Sequence, residues 1–271
     1  MSEPPPLIES QALRERLDDP ALLLVDLRSP EAYAQGHVPG ARNLGYGALI
    51  RSEPPVGGLL PDLGELSRAL SAIGLTPGHT VVAYDDEGGG RAGRLLWTLD
   101  ALGHERGRLL NGGIHAWMGD ELPLTRKPVP VAPSDYRATL HNPDVIADRT
   151  HILERLGTAD FVALDTRTPA EYRGEDVRAA RGGHIPGAVN LNWLEAIDRY
   201  RALRFKPDEE LRTLLENRRV TPDKEVVVYC QTHHRSSHTY MVLKHLNYPR
   251  VRGYPGAWSD WGNAPNTPVE T

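Results

Sequence analysis

"LLLVDLRSPEAY", residues 22–33, returns as "FVALDTRTPAEY" at residues 161–172. Each stretch runs apolar into an aspartate and carries an arginine two residues later. Three more blocks recur in the same order. "GHVPGARNL" (36–44) matches "GHIPGAVNL" (183–191), and "LTPGHTVVAYD" (75–85) matches "VTPDKEVVVYC" (220–230). "NGGIHAW" (111–117) matches "VRGYPGAW" (251–258) more loosely. Two copies of this size read as a duplicated domain, not as a solenoid.

Each copy alternates strand and helix signals. "LLLVD", "FVALD", "TVVAYD" and "EVVVYC" are short apolar runs of the kind buried on both faces of a parallel sheet. In "KPDEELRTLLENR", Pro207 suits a first helical turn, acids follow it, and Leu211, Leu214 and Leu215 share a face. "PDLGELSRAL" repeats the arrangement with Leu63, Leu66 and Leu70. Past Cys230, Thr239, Val242, Leu243 and Leu246 mark one face of a further helix. The expected fold class is α/β: two similar domains, each a mainly parallel sheet flanked by helices. The expected boundaries are a first domain over 1–124, an extended Pro-rich linker over 125–141 and a second domain over 142–271. The second copy is longer by the insertion "RGEDVRAARGG" ahead of His184.

The composition excludes some partners. The chain has 271 residues, a net charge of −5 and interspersed signs, which argues against a nucleic-acid or anionic-membrane surface. "MSEPPPLIES" has neither the basic nor the apolar segment of a secretory leader, and no apolar run reaches the length of a membrane span. The single cysteine excludes an intrachain disulfide and fits a reducing compartment. The expectation is a cytoplasmic monomer.

That cysteine, Cys230, ends a buried strand and precedes a short loop and a helix. Ligands bind beyond the carboxyl ends of such strands. Loop amides can converge into an anion nest, and a helix N-terminus adds about half a positive charge. Both favour thiolate over thiol, whose free pKa is about 8.5. Arg235 is always charged, and His233 and His234 sit beside it. Three other readings compete. The cysteine could be a small buried hydrophobe. Cys230, His233, His234 and His238 could ligate a metal, although Arg235 stands where a zinc helix carries glutamate. Cysteine phosphatases space Cys and Arg by five residues. The four between Cys230 and Arg235 make a tighter cradle. The first copy has Asp85 in the cysteine's place, so packing alone does not dictate the residue, and the first domain reads as non-catalytic.

"CQTHHR", the paired "GHVPGA" and "GHIPGA", "DLRSPEAY" with "DTRTPAEY", and "GAWSDWG" together resemble the tandem-domain rhodaneses, over about residues 8–265. The loop is similar to that of a bacterial thiosulfate:cyanide sulfurtransferase group. The resemblance implies ping-pong sulfur transfer. Cys230 takes the outer sulfur of thiosulfate as a persulfide and passes it to cyanide or another thiophilic acceptor, without metal or organic cofactor. It implies that Gln231, Thr232, His233, His234, Arg235 and Ser236 form the cradle, mostly through backbone amides. The histidines then form part of a cationic rim. Arg235 ends the loop and either contacts the dianionic substrate or turns away to a carboxylate and only holds the loop. Arg173, Arg178 and Arg181 are possible substrate arginines. The small-residue Cys-Gly-Ser-Gly loop of mercaptopyruvate-specific relatives is missing, and so is the Arg-Lys pair that follows the cysteine in vertebrate-type enzymes. Thiosulfate is therefore favoured. A 3-mercaptopyruvate sulfurtransferase and a sulfur-carrier or regulatory module delivering persulfide to a protein remain the alternatives.

Residues kept in both copies read as scaffold. These are Asp26 with Arg28, Asp165 with Arg167, His37 and His184. Trp117 and Trp258 are matched as core. Trp193 and Trp261 are unmatched and available to line the site mouth.

Overall fold

The computed structural model describes residues 6–271. Residues 1–5, which carry part of the leader argument, lie outside the described residues. The strands are β1 (Leu7–Ile8), β2 (Leu22–Asp26), β3 (Arg42–Asn43), β4 (Arg51–Glu53), β5 (Val56–Leu59), β6 (Thr80–Tyr84) and β7 (Gly107–Leu110) in the first half. The second half holds β8 (Phe161–Asp165), β9 (Val189–Asn190), β10 (Ile197–Asp198), β11 (Arg204–Phe205), β12 (Glu225–Tyr229) and β13 (Val251–Gly253).

The principal sheets have orders β1-β7-β6-β2-β3 and β13-β12-β8-β9. Every pairing in them is parallel. Asp26 pairs with Tyr84 and Asp165 with Tyr229, so the two central ladders end at equivalent points. The second sheet's counterpart of β1 shrinks to a single bridge between Ile146 and Gly253. β6 and β12 are buried at every residue, as runs covered by helices on both faces must be. The helix Leu63–Ala72 opens with a capping box from Asp62 and Glu65; it buries Leu66 and Leu70 but leaves Leu63 outside. The helix Asp208–Glu216 starts one residue after Pro207.

The chain forms two compact units. One holds residues up to Leu49, Pro61–Pro143 and Asp198–Phe205; the other holds Ile50–Leu60, Asp144–Ile197 and Lys206–Thr271. Each half of the repeat therefore gives one arm to the other half's unit. In the first unit, the Phe205 amide donates to Asn111 Oδ1 (2.8 Å) and Arg204 pairs with Asp120 (2.6 Å). In the second, the β4–β5 hairpin docks on the helix Ala257–Trp261, where the Gly57 amide donates to Ser259 Oγ (2.9 Å). Both arms fall between the matched blocks, so the repeat carries no trace of the exchange. Residues 126–142 form no helix or strand; the amides of Ser134 and Ala138 donate to Ser71 O and Ser67 Oγ on the helix Leu63–Ala72. Among the described residues, no helix is long and apolar enough to cross a membrane.

The paired scaffold residues do the same work twice. Arg28 and Arg167 each grip the aspartate two residues back and donate to a carbonyl, of Gly36 or Gly183, at 2.7 Å. All four side chains are buried, and each charge is met in full, which is what makes a buried pair tolerable. His37 stacks on Tyr33 and His184 on Tyr172, with centroids 3.8 and 3.7 Å apart. The tryptophans correct the sequence match. The Ile114 amide donates to Asp85 O and the Trp258 amide to Cys230 O, so Trp258 corresponds to Ile114. Trp117 and Trp261 are the true pair: both are fully buried and both donate from Nε1 to a proline carbonyl, Pro123 or Pro268. Trp261 is core and does not line a mouth. The Ala-Trp pairs at 116–117 and 257–258 are alike in sequence but three residues out of structural register.

Candidate active site

Cys230 lies just beyond β12, almost wholly buried, at the carboxyl edge of the parallel sheet. The helix Arg235–His245 follows the four-residue turn. The Trp258 and Ser259 amides hold the Cys230 and Gln231 carbonyls at 3.0 Å. With those oxygens pinned, the Thr232 and Ser236 amides turn onto the sulfur. His233 makes the reversal with a left-handed backbone, φ +54°, and right-handed His234 follows, the alternation that builds an anion nest. The β4–β5 hairpin closes the loop from outside. A β-carbon on Gly58 (φ +70°) would lie 2.1 Å from the Thr232 carbonyl oxygen, so only glycine fits.

Burial pushes the Cys230 thiol up. The Arg235 charge, the Ser236 hydroxyl at 3.5 Å and the Ser236 and Thr232 amides outweigh it and bring the thiol below its ordinary value. Arg235 is fixed by Glu171, with Nη1 to Oε2 at 2.6 Å and Nη2 to Oε1 at 2.7 Å. Burial opposes the Glu171 charge, but the two Arg235 contacts and those from Thr168 hold its carboxyl at about 2. Of the two alternatives for Arg235, the guanidinium turns to a carboxylate, and from there its charge also favours the Cys230 thiolate.

Sequence reasoning missed Glu171, although the signal was there. Glu171 and Ala32 occupy the same place in the two copies, the third residue of a capped helix. The acid occurs only in the copy with the cysteine, which is the comparison that singled out Cys230.

The remaining candidates separate. Gln231 Nε2 donates to the Arg178 carbonyl (3.0 Å), tying the insertion to the loop. Arg178 also lies 3.8 Å from Glu171, with half its side chain in solvent. Arg173 pairs with Glu175 in the open. Arg181 donates to the Trp261 and Thr267 carbonyls (2.9 and 2.6 Å), so its charge caps the C-terminal segment. His234 and His238 lie beside Trp193, with ring centroids 6.3 and 5.4 Å away. His233 is not on a rim: it is fully buried and faces Ser236. Among the described residues, no group of three His, Cys, Asp or Glu is arranged to hold a metal.

The first copy fills its own nest. Asp85 accepts from the amides of Glu87 (3.1 Å), Gly89 (2.9 Å) and Ala92 (2.9 Å) and is fully buried. The following helix opens with Gly90 where the second copy has Arg235.

Two segments, residues 9–120 and 148–264, match the rhodanese-like domain. The chain belongs to the rhodanese family. It is 48% identical to a thiosulfate sulfurtransferase of Azotobacter vinelandii, over 98% of this chain and 97% of that protein. A thiosulfate sulfurtransferase of Pseudomonas aeruginosa is also 48% identical, over 99% and 98%. A sulfur carrier protein of Thermus thermophilus is 33% identical, over 99% and 97%. The anaerobic ergothioneine biosynthesis enzyme of Chlorobium limicola shares the fold, with TM-score 0.87 and 24% identity over 98% of this chain and 70% of that one. The tandem rhodanese architecture read from the repeat is therefore that of its relatives.

Proposed function

We propose that this rhodanese is a thiosulfate sulfurtransferase with Cys230 as nucleophile and sulfur carrier. The observation that carries the reading is the thiol held below its ordinary pKa by Arg235 inside a nest of amides. The Cys230 thiolate attacks the outer sulfur of thiosulfate. The sulfur–sulfur bond of thiosulfate breaks, and sulfite leaves with its electron pair. The resulting persulfide keeps its negative terminal sulfur among the Thr232 and Ser236 amides, as an oxyanion hole keeps an oxyanion. Cyanide then attacks that sulfur, leaves as thiocyanate and restores the thiolate. Arg235 attracts the dianion and balances the charge that remains. Neither step calls for a metal or organic cofactor, and the donor and acceptor are the only small molecules required. A reducing, cytoplasmic setting keeps such a thiol active, and one chain carries the whole loop as a monomer.

Intact-protein mass spectrometry tests this. Thiosulfate should add one sulfur atom, cyanide should remove it, and Cys230→Ala should neither gain sulfur nor turn over. A variant that still produces thiocyanate at a substantial rate would exclude the mechanism. A second reading, a sulfur carrier for a protein acceptor, is favoured by the name of the Thermus relative. It would show as a persulfide that forms with thiosulfate but resists cyanide.

A further inference from the structure

We propose that His233 is a positioning residue for the sulfur: its ring holds the Ser236 hydroxyl so that the hydroxyl proton points at Cys230 Sγ. The inference rests on Cys230 being the nucleophile, and its test needs no turnover.

Three side chains form a buried chain. His233 Nδ1 lies 2.7 Å from Ser236 Oγ, and Ser236 Oγ donates to Cys230 Sγ at 3.5 Å. His233 and Ser236 are both fully buried, and Cys230 is nearly so. Serine has one proton to give. Were Nδ1 an acceptor, its shorter contact would take that proton, and the sulfur would lose the hydroxyl's hydrogen bond and keep only that of Arg235 among side chains acting on it. With the proton on Nδ1, the ring donates to the serine oxygen and the serine donates to sulfur. The histidine tautomer therefore sets the direction of the chain, as a histidine's second hydrogen bond does in metal and catalytic sites. The chain adds no charge of its own when the ring is neutral. The other groups acting on the sulfur are the Thr232 and Ser236 amides and Arg235, from the first turn of its helix, with Glu171 behind Arg235 as its partner.

The backbone makes the chain possible. His233 takes φ +54°, a conformation that glycine or asparagine would hold more readily. The same turn that aims the loop amides inward buries this ring behind Ser236. A histidine that served only a cationic rim would have no reason to face Ser236 away from solvent.

The test follows the ultraviolet absorbance of the thiolate across pH in the full chain, with Cys230→Ser as the blank. Cys230 is the sole cysteine, so the signal belongs to one group. Ser236→Ala should lower the thiolate fraction at pH values below the thiol pKa by about tenfold, the usual weight of a hydrogen bond to a charge. His233→Gly, which keeps the backbone and removes the ring, should lower it by at least about threefold. The double variant should match Ser236→Ala alone. His233→Asn should recover most of the loss, because its amide can donate from near the Nδ1 position. A wild-type titration in His233→Gly, or a double variant whose shift is the sum of the singles, overturns the proposal. Should the glycine variant fail to fold, His233→Asn decides: a curve like that of Ser236→Ala overturns it equally. Wild-type protein that fails to transfer sulfur while these shifts persist would instead remove the sulfurtransferase reading and leave the chain of hydrogen bonds standing.

Discussion

Glu171 and Arg235 are joined by two parallel contacts of 2.6 and 2.7 Å, and the carboxylate has no solvent exposure. This bidentate fork fixes the plane of the guanidinium as well as its position. The same guanidinium is the cation that favours the Cys230 thiolate. Removing one partner of such a pair leaves the other poorly compensated. Glu171→Gln should therefore lower unfolding stability by about 3 kcal/mol and lower kcat/KM for thiosulfate at least tenfold. Denaturant titration and steady-state kinetics check the two effects. Unchanged kinetics would show that Arg235 holds its place without Glu171.

The pair also predicts an acid response. The Glu171 carboxyl is held at about 2 against an ordinary value of 4.5. A depressed carboxyl contributes stability that is complete above the unfolded pKa and fades as pH falls through the folded one. The stability difference between wild type and Glu171→Gln should thus be constant above about pH 5 and shrink between about 4.5 and 2. Denaturant midpoints measured at several acid pH values would reveal it. A difference that stays constant throughout that window would mean that the carboxyl is not depressed.

Asp85 accepts three amide hydrogen bonds in the position equivalent to Cys230. Its carboxyl oxygens fill the nest. Asp85→Ala should cost about 1–3 kcal/mol of stability by leaving those amides without their acceptor, while sulfur transfer per folded molecule stays within about twofold of wild type. Asp85→Cys in a Cys230→Ala background should form no persulfide, because Gly90 replaces the arginine that depresses the thiol. Thiocyanate production by that double variant would show that the nest suffices without the arginine.

Gly58 supports the loop from its own hairpin. Gly58→Ala combines a left-handed backbone with a collision against the Thr232 carbonyl. Gly40 has a similar φ, +83°, but open space around its β-carbon position. Gly40→Ala should cost only the backbone penalty of about 1–2 kcal/mol. Gly58→Ala should cost more in stability and lower kcat several-fold, because the Thr232 amide moves from the sulfur. Equal effects of the two substitutions on kcat would separate the hairpin from the chemistry.

The duplication exposed most of this protein in one dimension. Four recurring blocks located two parallel α/β domains. The substitution of Asp85 for Cys230 points the proposed chemistry to one loop. The same comparison, extended to Glu171 and Ala32, locates the residue that fixes Arg235. Such differences are legible because the two copies share a backbone and depart only where their tasks do. Periodicity located the helix Arg235–His245 and the buried Thr239, Val242, Leu243 and Leu246, but not the full extent of its burial. The helix is buried across Ser236–Leu243 rather than on that face alone, and Ser236 and Ser237 close hydrogen bonds locally, on Cys230 Sγ and on the His233 carbonyl.

What sequence alone determined is the class of chemistry: a lone thiol at a parallel-strand end, followed by an arginine, on a scaffold written twice. Tertiary structure decided how that thiol is tuned. The Gly58 hairpin comes from 174 residues before Thr232, Glu171 lies 64 residues before Arg235, and His233 turns inward through a single backbone angle. Hydrogen bonds and close approaches of this kind depend on where distant segments meet to within a few tenths of an ångström. Residue spacing along a chain carries no record of such meetings.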